Sequence, residues 1–588
     1  MSNRCAPFLI AFVTLVSTSA FSQTPPPGGS WDSVAHSNEF GHVVKPTTAE
    51  DEGRVTFRSQ TILIEVPVVV TDKNGNHIHG LSQSDFRVLE NGKEQRISTF
   101  EEKVSTNAKI PQSPAQPGEF SNLTVPAQQP RAITVIAIDT VNTPYLDQAI
   151  GRHELIKFLA HNIDNSQILA LMIMTSHGVK VVQDLTGDPE QLAQVLKKVS
   201  GEMPQNQATS LDNQANAALG DIPVVHDSSS SASFAVMMAQ VQEMQDYADT
   251  MAGQFQQTRA IEMTMNSFLG IAWALSGVPG RKSIIWATSG FPFAITSPDV
   301  VPGSLGPLYE RTMKALTDGQ ISVYPVDVRG ITTRGEGEAT AGPLFSRGQG
   351  PSVHQMNNRS WLIANSHQSL NEFADMTGGK AFYNSNDLAG SFKRAADDSS
   401  SYYLVGYYLD TKNNHAGWRQ LKVGVDKKDA EVRARKGFFI TKATIDADST
   451  RDYDLHTALT SPIEATGVPV TLKWTGISGE GDKKKAAFLI QIPPNGVTIE
   501  GGEQARLSFD VAVTAYRING KTDQPVLTLW QKVETAVSPQ QLAMVRAKGV
   551  SVSKDLALAP GEYAVRLVVR DSATGKIGSV TAPLTVNY

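Results

Sequence analysis

Ile133-Thr134-Val135-Ile136-Ala137-Ile138 runs straight into Asp139-Thr140-Val141-Asn142-Thr143 and then into a helical pattern. An apolar run without polar alternation reads as a strand buried on both faces, the condition of a parallel strand covered by helices. A carboxylate followed by small polar residues at the carboxyl end of such a strand stands where open α/β sheets place ligand and ion sites. Beyond it, Leu146, Ala149, Ile150, Ile156 and Leu159 recur at three- and four-residue spacings and predict an amphipathic helix. Residues 167–174 read as a second buried strand, Ser176-His177-Gly178 as a turn into 179–182, and Asp188-Pro189-Glu190 as the start of another helix. This alternation predicts a mainly parallel sheet covered on both faces.

The same unit continues to about residue 440. Residues 201–232 form an inserted polar loop before a long Met- and Gln-rich helix over about 233–276, whose methionines read as core packing. Gly280-Arg281-Lys282-Ser283 is a turn and not a phosphate loop, because its glycine spacing is too short and it precedes a strand. Strands follow at 284–286 and 321–327, then a Gly-rich insertion over about 330–360 and a helix over 361–376. Thr377-Gly378-Gly379 stops that helix and leads to a last parallel strand, after which 402–408, 419–425 and 431–435 read as hairpin-connected strands.

The flanks differ in kind. Arg4, the apolar stretch 7–16 and Ala20-Phe21-Ser22 read as an export signal over 1–22, and 23–54 as a disordered leader. Residues 55–105 form a small β module, with Asp72-Lys73-Asn74-Gly75-Asn76 a turn and not a calcium loop, since His77 stands where that loop needs glycine. A Pro-rich linker spans 106–130, and 455–588 carries short β runs ending in a hairpin similar to that of an immunoglobulin-like β-sandwich. The single cysteine, Cys5, lies inside the export signal, so the mature chain uses neither disulfides nor a catalytic thiol. A formal charge of -6 without long runs of one sign gives no nucleic-acid groove, and no transmembrane segment is expected in the mature chain.

Several separated motifs occur together: Val66-Pro67-Val68-Val69-Val70-Thr71-Asp72-Lys73, Asp85-Phe86, the Asp139 loop, Gly280-Arg281-Lys282, Thr377-Gly378-Gly379 and Tyr402-Tyr403-Leu404-Val405-Gly406-Tyr407. In this order they resemble the exported bacterial von Willebrand factor A (vWA)-related family known chiefly from Acidobacteria. The resemblance spans roughly 55–440 and implies a multidomain α/β plus β chain. Its parts are a vWA doubly wound mainly parallel sheet over 131–440, the small N-terminal β module and the C-terminal immunoglobulin-like sandwich.

The resemblance also implies a metal loop of the form Asp-x-Ser-x-Ser, to which Asp139 and Thr143 correspond. Val141 replaces one hydroxyl, and Ser289 stands near where a further Asp is expected. No cofactor is therefore expected, and Mg²⁺ or another divalent cation should bind poorly if at all. The other reading of Asp139 is that it caps the following helix and satisfies backbone donors. Asp327-Val328-Arg329 reads as an ion pair that orders its loop. No catalytic constellation is found: His153-Glu154 lacks the second histidine of a metalloprotease motif, and Ser289, though followed by Gly290, has Ala287 two positions before it where a nucleophile elbow needs glycine. The expectation is an exported, periplasmic or extracellular, non-enzymatic binding or adhesion-type protein. It would hold a protein or other envelope macromolecule at a face lined by Asp139, Asn142, Thr143 and Ser289. The alternatives are an envelope scaffold without a ligand there and an unrecognised hydrolase.

Overall fold

A computed structural model describes residues 63–104, 118–122, 133–161, 167–199, 201, 255–291, 293, 305–331, 366–409, 417–440, 448–479, 482–500, 505–518 and 525–587. The expected export signal and leader, residues 202–232 of the expected polar insertion, residues 233–254 of the helix expected over 233–276, and the expected Gly-rich insertion beyond 331 lie outside these residues.

The expected fold class requires correction. The described residues are mostly β, arranged in five four- or five-stranded sheets, and four of these are antiparallel throughout. A vWA doubly wound, mainly parallel sheet is therefore not the architecture of the chain. The βα alternation of 133–198 does not extend through the chain: most described strands elsewhere find their partners by hairpins or by pairings several hundred residues apart.

Those distant pairings change how the units are built. Leu63–Thr71 pairs antiparallel with Ser401–Tyr408 and with Glu431–Arg433, and Phe86–Glu90 pairs with Gly417–Val425. The strands of 63–104 thus close a core with the strands of 401–440, including Val66, Val68, Phe86, Tyr403, Tyr407 and Phe438. Inside the segment expected to be a linker, Glu119–Ser121 joins the C-terminal strands by pairing with Thr471–Ser478. Asn122 fixes this edge, its amide donating to the carbonyls of Ala465 and Val468 at 2.7 and 2.9 Å. The C-terminal part is two four-stranded antiparallel sheets around one apolar core.

One sheet is mixed, and it positions the site. Its order is Ile321–Asp327, Lys282–Thr288, Ile133–Asp139, Ile168–Thr175, Gly178–Thr186; the first four are mutually parallel and the last is antiparallel. All four parallel strands are buried at every residue, which explains their uninterrupted apolar character. On one face, helices Tyr145–His161, Pro189–Lys198 and Leu388–Asp397 contribute Leu155, Phe158, Leu192, Leu196 and Phe392. On the other, the helix over 255–275, Leu305–Asp318 and the helix over 366–377 contribute Phe268, Ala272, Met313 and Phe373.

Arg281, expected in a turn, is a buried tie between units. Its guanidinium donates to Tyr324 Oη at 2.7 Å and to the Gly378 carbonyl at 2.9 Å, while Tyr324 Oη donates to Asp398, which also pairs with Arg433. Gly379 is required beside it, since a Cβ there would lie 2.0 Å from the Val323 carbonyl oxygen.

Candidate functional site

Parallel register brings three strand ends together: Ile138 lies opposite Ala287, and Thr288 opposite Asp327. Asp139 ends its strand fully buried. Its Oδ1 accepts the backbone N–H groups of Val141 (2.9 Å) and Asn142 (3.0 Å). Its Oδ2 accepts from Asn142 Nδ2 (2.8 Å), Trp286 Nε1 (3.0 Å) and Thr288 Oγ1 (2.9 Å). Burial pushes its carboxyl above the ordinary range, and the bonds from Asn142, Thr288 and Trp286 oppose that shift. Trp286 and Thr288 were not singled out in the sequence. Their alternation on the buried neighbouring strand was the available signal, since Trp286 and Thr288 are two residues apart and share a face.

The four expected site residues do converge, mainly on one another. Asn142 joins Asp139 to Thr264 Oγ1 (2.8 Å) on the helix over 255–275. Thr143 Oγ1 accepts the backbone N–H of Ser289 at 3.1 Å, and Ser289 Oγ donates to Asp147 Oδ2 at 3.0 Å. Asp139 and Thr143 are both buried.

This loop does not fit a divalent cation. A hard cation binds through oxygen lone pairs, yet both Asp139 oxygens face donors, Thr143 Oγ1 faces an N–H, and Val141 supplies a buried isopropyl group. Among the described residues no group of three or more His, Cys, Asp or Glu side chains could hold a metal ion. The arrangement suits a carboxylate that organises a turn.

More polar chemistry lies beside it. Asp327 is buried and accepts from Arg329 at Nη2 (2.6 Å), from the Arg329 backbone N–H (3.0 Å) and from His367 Nε2 (3.0 Å). Burial raises its pKa, but the His367 and Arg329 interactions outweigh burial and hold the carboxyl below its ordinary value. His367 stacks on Tyr383 with centroids 4.5 Å apart. Asp147 is half-buried; burial pushes its carboxyl up, the Ser289 hydroxyl and Arg329 pull it down, and Asp327 adds to the upward push.

The helix after the Asp139 loop departs from its predicted face. Leu146 and Ile150, expected to pack, are 55% and 43% exposed, and Tyr145 is 53% exposed. Gly151, Leu155 and Phe158 are buried in their place, beside Leu159, which is buried as expected. Gly151 sets this rotation, for a Cβ there would sit 2.8 Å from Val328 Cγ1. The first turn of the helix therefore presents apolar side chains around Asp147.

No family model matches the chain, and no curated protein matches it. Among solved structures, the TFIIH p34 N-terminal domain aligns at 13% identity over 45% of this chain and 96% of that one, with a TM-score of 0.16. Three N-terminal domains of the type V pili tip protein Mfa5 from Porphyromonas gingivalis align at 9% identity over 84% and 78%, with a TM-score of 0.15. Beta-glucosidase from Kluyveromyces marxianus aligns at 11% identity over 55% and 34%, with a TM-score of 0.14. Superpositions this loose decide neither fold nor function.

Proposed function

We propose that this chain is an exported, non-enzymatic binding protein of adhesion type, working in the periplasm or outside the cell. Its target is a protein or other envelope macromolecule, held at the face where strands Ile133–Asp139 and Lys282–Thr288 end. One observation carries this reading: Tyr145, Leu146 and Ile150 are exposed in the first two turns of the helix that also carries Asp147, the half-buried acceptor of the buried Ser289 hydroxyl at that strand end. Apolar side chains grouped around a satisfied polar pair have the make-up of a protein contact, in which the apolar groups supply affinity and the polar ones register. Asp139, Asn142 and Thr143 act from beneath, holding the loop that carries this surface. Export rests on Arg4, the apolar stretch 7–16 and the small residues Ala20 and Ser22. Among the described residues no helix is long and apolar enough to cross a membrane.

The test is capture from an envelope extract of the native host, comparing the wild-type chain with a Leu146→Glu, Ile150→Glu double variant. Exposed positions leave the melt unchanged, and capture should fall by about tenfold or more. Equal capture by both chains would overturn the assignment of this face and favour a scaffold role. Turnover in an unbiased substrate screen would overturn the non-enzymatic reading.

A further inference from the structure

A second site lies away from this face, in a cavity of about 210 Å³ between the helices of the mixed sheet and the C-terminal sheets. Trp273, Pro307 and Ile577 give it an apolar wall. Asp454, on helix Asp448–Thr460, lines the same space with its side chain 7% exposed. Its Oδ2 accepts from Arg570 Nε at 3.1 Å, whereas its Oδ1 accepts no hydrogen bond and has only Arg311 Nε at 3.5 Å. A buried carboxylate oxygen without a hydrogen-bond donor costs free energy, on the order of 1–3 kcal/mol, unless something else supplies one.

The wall also limits what that donor can be. Four cations (Arg311, Lys314, Arg570, Lys576) face three carboxylates (Glu310, Asp318, Asp454), so the charges nearly cancel and a strongly charged ligand gains little. Glu310 and Lys576 make no ion pair among the described residues, which leaves an acceptor and a donor for a ligand. Arg311 is already oriented, lying 4.5 Å over the Tyr453 ring while paired with Asp454. Planar charged groups of both signs beside an apolar wall suit a ligand with hydroxyls on its edge and C–H groups on its face.

We propose that this cavity binds one neutral sugar residue. Asp454 Oδ1 accepts from a hydroxyl, Arg311 and Lys576 donate to hydroxyl oxygens, and the wall of Trp273 and Ile577 covers the apolar face. The full chain is titrated by calorimetry with D-glucose, D-galactose, D-mannose and N-acetyl-D-glucosamine in turn. Saturable one-site binding of at least one sugar is expected. Asp454→Asn should weaken it about tenfold, and Thr450→Trp, which fills the mouth from the first turn of the helix, should abolish it. Circular dichroism checks that both variants fold; if Asp454→Asn does not, Thr450→Trp decides alone. The proposal is overturned if none of the four sugars binds the wild-type chain, or if binding survives Thr450→Trp unchanged. Neither result bears on capture at Leu146 and Ile150, which is read separately.

Discussion

Trp286 donates its indole N–H to Asp139 Oδ2 at 3.0 Å, across the adjoining parallel strands Lys282–Thr288 and Ile133–Asp139. With both residues fully buried, this bond fixes the end of one strand against the next. Asp139→Ala would leave the Trp286 N–H, the Thr288 hydroxyl and the loop N–H groups without their acceptor. Stranded buried donors are costly, so the variant should lose about 3 kcal/mol or more of stability, read by chemical denaturation. An unchanged denaturation midpoint would show that the carboxylate does not organise this junction. Loss of capture in this variant is then a consequence of lost structure, which is why capture is tested at Leu146 and Ile150.

The same saturation of Asp139 makes a prediction for metal. Mg²⁺ added in millimolar excess should leave the melting temperature unmoved and give no heat in calorimetry, because a ligand that binds the native state must stabilise it. Stoichiometric binding removed by Thr143→Val, with the fold intact, would show that the Ser289 N–H yields its acceptor to a cation.

Asp327 predicts acid sensitivity. Despite its burial, His367 and Arg329 hold its folded-state pKa below the ordinary aspartate value. The native state then binds fewer protons than the unfolded one around that value, so this contribution is complete above the unfolded pKa and disappears as pH falls through the folded pKa. Asp327→Asn should therefore cost about 2–4 kcal/mol near neutral pH and progressively less in acid, measured by denaturation across pH. A cost independent of pH would assign the loss to packing.

What could be read from the sequence was local. The four buried strands of the mixed sheet announced themselves because helices cover both sides, leaving no polar alternation. The Asp327–Arg329 pair was legible because its partners are two residues apart. The pairing of Glu65 with Gly406 has no local signal, since neither strand specifies a partner more than three hundred residues away. That is how a chain whose described residues form one mixed and four antiparallel sheets was read as a doubly wound one. The face of helix Tyr145–His161 was misjudged for a similar reason: 3.6-residue periodicity admits Leu146 and Ile150, but the close approach of Val328 to Gly151 selects a different stripe. Convergence of Asp139, Asn142, Thr143 and Ser289 was foreseen, but not that their polar atoms are spent largely on one another.

Lys282 gives the last prediction. It is 2% exposed at the start of its strand, and its ammonium donates to the Val278 carbonyl, while among the described residues no carboxylate pairs with it. Burial alone brings its pKa down from 10.5 to about 7. Between those values the unfolded chain keeps the proton and the folded chain sheds it, so this residue makes stability rise with pH through that window; below about 7 both states are charged and the burial penalty is in full force. Lys282→Met keeps the length of the side chain and removes the charge. It should stabilise the chain by roughly a few kcal/mol below neutral pH, with the gain shrinking as pH climbs toward the ordinary lysine range. Paired denaturation curves of the two chains at about pH 6 and about pH 9.5 measure this. A variant that is less stable than the wild type at both would show that the bond to Val278 outweighs the cost of burying the amine.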